Sequence, residues 1–372
     1  MAHDDTVELL RSGALSRRQV LQVLASTGVV ALPIATTPSA VAKPVENTVD
    51  LSLLEWNGYE NPLFHPEYTA KYGGEPKVAF FAEEEDALQR IRTGYPVDLV
   101  HFCAGITAMA RDAEVIIPLD TNRIPRWGEI IPSLLEVEGI YAQGSYWLAP
   151  WDWGYSTVAY NPETIDVENP TYDIFIDPRF KGKTALPSSI GVNFFIAGVI
   201  GGWQDPLDPT EAELESASEI FTKMLENARF VWSDSTQLEQ AWAAGDVGIS
   251  YVYGSATRRM KQEGMPNVVV EPLMMWICGL SLAADRSGSL DQAYDYIDAM
   301  LDPVGGAALF DIYGYGHANR NTNALIGAER LAGTGLDDPV GLFSRGIFMA
   351  ATPPGKRAKL FQLWFEAQAG LD

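Results

Sequence analysis

Apolar and polar residues alternate along residues 48–56, which predicts a first strand that ends at Trp56. Residues 84–94 instead place Leu88 and Ile91 on one helical face, and residues 97–102 predict a second strand. A strand, a helix and a strand in this order are typical of a parallel sheet covered by helices. The pattern therefore predicts an α/β fold.

The pattern of apolar and polar residues predicts further helices and strands along the chain. An aromatic, extended segment covers 146–160, and Asp208 is expected to cap a helix over 209–227. The other predicted elements are a strand at 248–253 and helices at 238–244, 290–301 and 356–369. Open α/β sheets bind ligands at the carboxyl ends of their strands. This rule selects Trp56, residues 101–105, Ser188, Ser189, Tyr253 and Trp276 as candidate site residues.

Two arginines precede a short apolar run near the start of the chain. Arg17 and Arg18 lie just before residues 20–34, which are too short and too polar to span a bilayer. Small residues follow and fit an A-x-A cleavage site at 40–42. Such a pair is the address of the pathway that exports folded proteins. The sequence therefore predicts a twin-arginine signal peptide over 1–42, with an amphipathic N-terminal helix as the alternative.

Composition narrows the classes of function. Without the predicted signal, about 330 of the 372 residues remain, enough for two domains or one large one. The formal net charge of −23 opposes binding to nucleic acid or to an anionic membrane surface. This charge suits a soluble protein outside the cytoplasm and slightly favours cationic ligands.

A series of short motifs runs through nearly all of the chain after the predicted signal. The motifs are EWNGY at 55–59, PVDLV at 96–100, IPLD at 117–120, WLAPWDWG at 147–154, DPRFKGK at 177–183, GDVG at 245–248 and YGSA at 253–256. In order and spacing the series resembles the periplasmic spermidine/putrescine-binding proteins of ATP-driven importers, within the extracellular solute-binding proteins. The resemblance implies a periplasmic-binding-protein fold of type II, in which two α/β lobes close around a ligand.

The resemblance also implies a division of the chain. Lobe one would cover residues 43–153 and 277–324, and lobe two would cover 154–276 and 325–372. The segments that cross between the lobes would lie near Trp153 and Trp276, so both indoles are expected at the floor of the cleft.

An aromatic ligand site follows from the same resemblance. The expected rings are those of Trp56, Tyr59, Trp153, Trp276 and Tyr315. Aromatic faces attract cations by roughly 0.5–2 kcal/mol each. Trp147 and Trp242 are instead expected in the core, and His65 on a surface loop.

The carboxylates that clamp ammonium groups in the resembled family are missing at the matching positions. Where the resembled family has an acid after the tryptophan of the second crossing, this chain has Cys278. Where the family has a hydroxyl residue in lobe one, this chain has Cys103. The positions of the family's acids in lobe two fall near Ser189 of this chain. The position of a family tryptophan in lobe two is taken by Val252 or Tyr253. A diamine would be poorly paired in such a site, so a monocation, a bulky amine or a neutral polar molecule is expected. Glu55, Asp152 and Asp311 are the candidates for one compensating carboxylate.

Cys103 and Cys278 are the only cysteines. Small thiols beside the ligand are the favoured interpretation. A disulfide, which an oxidising compartment would favour, is the first alternative. A metal or redox centre with His101 and His317 is the second.

We therefore predict a solute-binding protein of an ABC-type importer that acts without a cofactor or metal, as a monomer, in the periplasm or a similar extracytoplasmic space. It would capture a polyamine-like or other amine-containing solute and deliver it to an inner-membrane permease. The alternatives are another cargo, such as an opine, an amino-acid derivative or a metal chelate, or a thiol- or metal-dependent periplasmic enzyme. Catalysis is not expected, because the chain has no nucleophile-elbow motif and only four histidines.

Overall fold

The structure, a computed structural model, describes residues 47–350 and 352–370. The predicted signal peptide lies outside these residues. The strands are β1 (Ser52–Trp56), β2 (Lys77–Phe81), β3 (Leu99–Cys103), β4 (Ile116–Ile117), β5 (Tyr141–Ala142), β6 (Ser145–Tyr146), β7 (Ala149–Tyr160), β8 (Thr184–Pro187), β9 (Ala228–Trp232), β10 (Ile249–Tyr253), β11 (Val268–Ala283), β12 (Gly316–His317) and β13 (Gly346–Phe348).

Helices flank these strands, and none within the described residues is long and apolar enough to cross a membrane. The helices are α1 (Pro66–Tyr72), α2 (Glu84–Arg92), α3 (Ala104–Asp112), α4 (Pro132–Leu135), α5 (Ile190–Ile200), α6 (Glu211–Asn227), α7 (Ser235–Ala243), α8 (Gly254–Gln262), α9 (Leu290–Met300), α10 (Pro303–Tyr313), α11 (Thr322–Ile326), α12 (Ala328–Leu331), α13 (Pro339–Phe343) and α14 (Pro354–Ala369).

Two long strands hold the sheet together. Its main path runs β2-β1-β3-β11-β7-β10-β8-β9. β1 is parallel to β2 and β3, and β8 is parallel to β9 and β10. Between these parallel halves, β7 and β11 pair with each other and with their other neighbours on this path in antiparallel register. The predicted two-lobed α/β fold is confirmed, since each parallel half is one lobe and β7 and β11 cross between them.

Separate hydrophobic cores lie on the two sides of the crossing strands. The first core includes Leu54, Phe102 and Phe310, and belongs to lobe one. The second core includes Phe194 and Trp364, and a third core includes Trp242. Both of these cores belong to lobe two. Ile326, Leu331, Leu336 and Leu342 pack in the first core, although the sequence assigns 325–372 to lobe two. The predicted boundaries of the lobes stay a prediction.

Most of the predicted elements occur within a few residues of their expected bounds. One cap was wrong: α6 begins after Thr210, not after Asp208. The Thr210 hydroxyl accepts from the Glu213 backbone N–H, and the Glu213 carboxylate accepts from the Thr210 backbone N–H. This capping box satisfies two donors at once, whereas a lone acid at 208 would satisfy one. The Asp208 side chain pairs instead with Lys356 of α14.

Candidate functional site

Four aromatic rings form a continuous column where the crossing strands meet lobe one. Tyr59 stacks on Tyr313 at 5.2 Å between ring centroids, and Tyr313 stacks on Tyr315 at 5.6 Å. Trp276 on β11 meets Tyr315 edge-on at 4.8 Å. All four side chains are partly exposed. We call Tyr59, Tyr313, Tyr315 and Trp276 the aromatic column; three of its members were predicted, and Tyr313 was missed.

A glycine on β7 makes room for the indole of the column. A Cβ atom at Gly154 would lie 2.6 Å from a ring carbon of Trp276, so any larger residue would push the ring away. The indole N–H of Trp276 is buried and has no hydrogen-bond partner among the described residues. A small cavity of about 10 Å³ beside the ring is lined by Gly154, Ser255, Arg258 and Tyr315, among others. This volume is roughly room for a single water molecule.

The other predicted aromatic residues lie apart from the column. Trp56 packs against Phe81 at 4.5 Å, at the carboxyl ends of β1 and β2. Tyr253 is 40% exposed at the end of β10. Trp153 was expected at the floor of the cleft, but it is 1% exposed and its indole donates to the His317 carbonyl at 3.2 Å. It belongs to the first core, where its ring lies against Gly316 of β12 and meets Phe343 edge-on at 5.3 Å.

Ser189 is the residue before α5 and is partly exposed, so it stays a candidate ligand contact. Burial settles two other expectations, for His65 and Trp242. His65 was expected at the surface, but it is 1% exposed and its ring pairs with Glu75. Trp242 lies in the core as predicted, at 2% exposure.

Cys103 and Cys278 form a disulfide between β3 and β11. The favoured interpretation as free thiols is therefore wrong, and the alternative of a disulfide is confirmed. The two residues lie directly opposite each other in the antiparallel register, which brings their side chains to the same face. Whether this disulfide contacts a ligand stays a prediction. No group of side chains suited to a metal ion occurs among residues 47–350 and 352–370.

A buried ion cluster lies directly behind the column. His101 on β3 places its Nδ1 atom 2.5 Å from a carboxylate oxygen of Glu55 on β1. Its Nε2 atom lies 3.1 Å from a carboxylate oxygen of Asp152 on β7. All three side chains are at most 1% exposed. We call Glu55, His101 and Asp152 the buried ion cluster; it ties three strands together at the crossing.

Burial and charge act in opposite directions on His101. Burial lowers the pKa of its imidazole, but the charge of Glu55 and hydrogen bonds to Asp152 and Glu55 outweigh burial and raise that pKa to about 10. Burial also raises the pKa of Glu55. The rise at His101 has a direct cause: its ring faces two carboxylates, whereas a proton on Glu55 would neutralise only one of them. The imidazole is therefore positively charged at neutral pH.

The column and the cluster are linked through one hydrogen bond. The Tyr59 hydroxyl donates to Asp152 at 3.0 Å, and the Tyr59 ring meets the His101 ring edge-on at 5.1 Å. Burial, followed by the charge of Asp152, raises the pKa of Tyr59 well above its ordinary value, so the hydroxyl keeps its proton. The cluster thereby fixes the position of the first ring of the column.

Three acids were candidates for a free carboxylate in the site, and each has an internal partner. Glu55 and Asp152 face His101. Asp311 is exposed and pairs with Arg330. A fourth acid, Glu84, was missed: it accepts from the Cys103 backbone N–H at 2.5 Å, and burial raises its pKa to about 7. Its place at the start of the predicted helix over 84–94 was readable from the sequence, but its contact with the backbone of β3 was not.

A His101→Leu variant tests the charge of the imidazole. The folded-state pKa lies above the unfolded value of 6.5, so this group's stabilisation is complete below pH 6.5 and is lost as pH rises toward about 10. Between pH 7 and 10, the free energy of unfolding should therefore fall more steeply with pH in the wild type than in the variant. The difference between the two slopes should be up to about 1.4 kcal/mol per pH unit. Urea unfolding measures the difference, and parallel curves would contradict a charged His101.

Comparisons with known proteins agree with the two-lobed fold. The putrescine-binding periplasmic protein PotF of Escherichia coli is 23% identical over 309 residues, which cover 77% of this chain and 81% of PotF. The spermidine/putrescine substrate-binding protein PotD of Streptococcus pneumoniae shares the fold with a TM-score of 0.68, at 18% identity over 86% of this chain and 98% of PotD.

A third similar structure, the binding protein MotA of A. tumefaciens in complex with glucopine, has a TM-score of 0.62 at 16% identity and covers 86% of this chain and 98% of MotA. The model of one protein family matches residues 67–328, most of the described chain. By that match, this chain belongs to the bacterial extracellular solute-binding proteins.

Proposed function

We propose that this chain captures a small amine-containing solute between its lobes and delivers it to the inner-membrane permease of its ABC-type importer. The observation that carries the proposal is the aromatic column, whose four side chains are all partly exposed where the crossing strands meet lobe one. Ring faces hold alkyl chains and attract single positive charges. The protein acts as a monomer and does no chemistry on its cargo.

A second cargo class is favoured by one observation. Arg258 of α8 lines the small cavity together with Tyr315 of the aromatic column. Its guanidinium donates to the Arg330 carbonyl at 3.3 Å and lies over the Phe310 ring, and no carboxylate of the described residues forms an ion pair with it. Burial lowers the pKa of Arg258. A cargo with both an amine and a carboxylate, such as an amino-acid derivative or an opine, would supply the missing partner.

Contacts between the lobes support capture by closure. Arg357 of α14 forms an ion pair with Glu85 of α2, and α14 packs in the second core while α2 packs in the first. A Cβ atom at Gly105 of α3 would lie 2.7 Å from the Met349 carbonyl, so only glycine permits this approach of the two segments. We propose that these contacts form when the cleft closes and break when cargo is released.

Cargo binding is tested by Trp276→Ala. A thermal-shift panel of putrescine, spermidine, 4-aminobutyrate and octopine on the wild-type protein selects the ligand, because binding raises apparent stability. The variant should bind that ligand at least about tenfold more weakly and keep its circular dichroism spectrum, because an indole face is lost. Trp242→Phe, in the third core, is the control and should bind normally. Equal affinity of wild type and Trp276→Ala would contradict the proposal.

The proposed closing contact is tested by Arg357→Ala. Without the ion pair to Glu85, the ligand-saturated protein should close less completely, and its radius of gyration in small-angle X-ray scattering should exceed that of the ligand-saturated wild type. The matched control is Lys356→Ala, because Lys356 pairs with Asp208 inside lobe two. Identical scattering from wild type and Arg357→Ala would show that the pair does not hold the lobes together.

Export by the twin-arginine pathway is part of the proposal and is tested in cells. Replacing Arg17 and Arg18 by lysines keeps the charge but removes the pair that the pathway recognises. The precursor should then accumulate in the cytoplasm, as seen by fractionation and immunoblotting. Normal amounts of processed protein in the periplasm would refute this route of export and leave the proposed cargo untouched.

A further inference from the structure

The buried ion cluster contains more acceptors than a neutral histidine can satisfy. A neutral imidazole has one N–H donor, whereas both ring nitrogens of His101 face carboxylate oxygens, at 2.5 and 3.1 Å. With Glu55 and Asp152 both ionised, each carboxylate is an acceptor only, and both contacts are then hydrogen bonds only if the ring is doubly protonated. The cluster then has two negative charges and one positive charge.

Nearly all the acceptor atoms of the two carboxylates are occupied. Asp152 accepts from His101 with one oxygen and from the Tyr59 hydroxyl with the other. Glu55 directs one oxygen to His101 and to the Trp56 backbone N–H, at 2.8 Å. Its other oxygen is buried without a partner in the described part of the chain. These carboxylates therefore have little capacity left to clamp a charged cargo.

We propose that His101 is a built-in counter-cation that determines specificity: it occupies both carboxylates behind the aromatic column and neutralises one of their two negative charges, so that the site accepts cargo with at most one positive charge and discriminates against diamines. This inference rests on the proposed function, because it concerns the cargo of the same site. His101 acts through Asp152 and Tyr59 and is a positioning residue; it does not itself contact the cargo.

The charges around His101 favour this role over a purely structural one. Glu55 approaches from β1, Asp152 from β7 and Glu84 from the start of α2, while His317 on β12 lies near Asp152. Burial lowers the pKa of His317 to about 4, so this second histidine is neutral. His101 is therefore the cationic member of this group, and its removal leaves uncompensated negative charge behind Tyr59.

A matched pair of ligands tests the inference. Putrescine and 4-amino-1-butanol have the same length, but putrescine carries two positive charges and 4-amino-1-butanol carries one. Isothermal titration at pH 8 with wild type should show the tighter binding for 4-amino-1-butanol. In His101→Gln the ratio of affinities should shift toward putrescine by at least about tenfold, because the cluster has lost its positive charge at a distance of several ångströms.

His65→Gln is the matched control. His65 is also a buried histidine of lobe one paired with a carboxylate, Glu75, but it contacts none of the column rings. Its substitution should leave the ratio of affinities unchanged. A wild type that prefers putrescine, or a His101→Gln variant with an unchanged ratio, would overturn the inference.

A measurement on the unaltered protein covers the case in which His101→Gln does not fold. In ¹⁵N NMR of the imidazole groups, His101 should show the shifts of a doubly protonated ring from pH 6 to 8.5, whereas His317 should stay neutral. A neutral His101 would overturn the inference. If wild type binds neither amine, the proposed amine cargo fails, and gain of putrescine binding by His101→Gln would still support the role of His101.

Discussion

The ion cluster of Glu55, His101 and Asp152 is the interaction on which the site depends. It joins side chains of strands β1, β3 and β7 across the intervening strand β11, and no member is more than 1% exposed. Burying an ion pair costs several kcal/mol in desolvation, which only good geometry and further hydrogen bonds can offset. Here the Tyr59 hydroxyl and the Trp56 backbone N–H supply them. The cluster thus fixes the crossing strand β7 and the first ring of the column together.

The rest of the cleft is arranged around the two crossing strands. On β11, Trp276 meets Tyr315, and two residues later Cys278 is joined to Cys103 of β3. Residues two apart on a strand lie on the same face, so the indole and the disulfide follow each other along one side of β11. The disulfide adds a covalent tie between β3 and β11 beside the hydrogen-bonded ladder. Trp276 of the aromatic column therefore lies on a strand that is covalently tied to β3, whereas the proposed closing contacts are one ion pair, Arg357 with Glu85, and one close backbone approach at Gly105.

The sequence predicts the fold well and the site only in part, for physical reasons. Strands such as β10 and helices such as α9 follow from local periodicity, and the order of short motifs implies two lobes. The role of Tyr313 and the burial of Trp153 depend on contacts with residues far away in the chain. His101 is predicted only as a residue at a strand end and as a possible member of a metal or redox centre, because nothing near it in the sequence reveals two carboxylates 46 and 51 residues away. The tertiary fold, and not the local sequence, determines which carboxylates lie beside a buried histidine.

A crystal structure with 4-amino-1-butanol bound tests the central claim most directly. We expect the ammonium nitrogen of the bound ligand to lie over a ring face of the aromatic column, within about 6 Å of a ring centroid. Glu55 and Asp152 should both still contact His101. An ammonium in direct ion-pair contact with either carboxylate, with His101 displaced, would contradict the account.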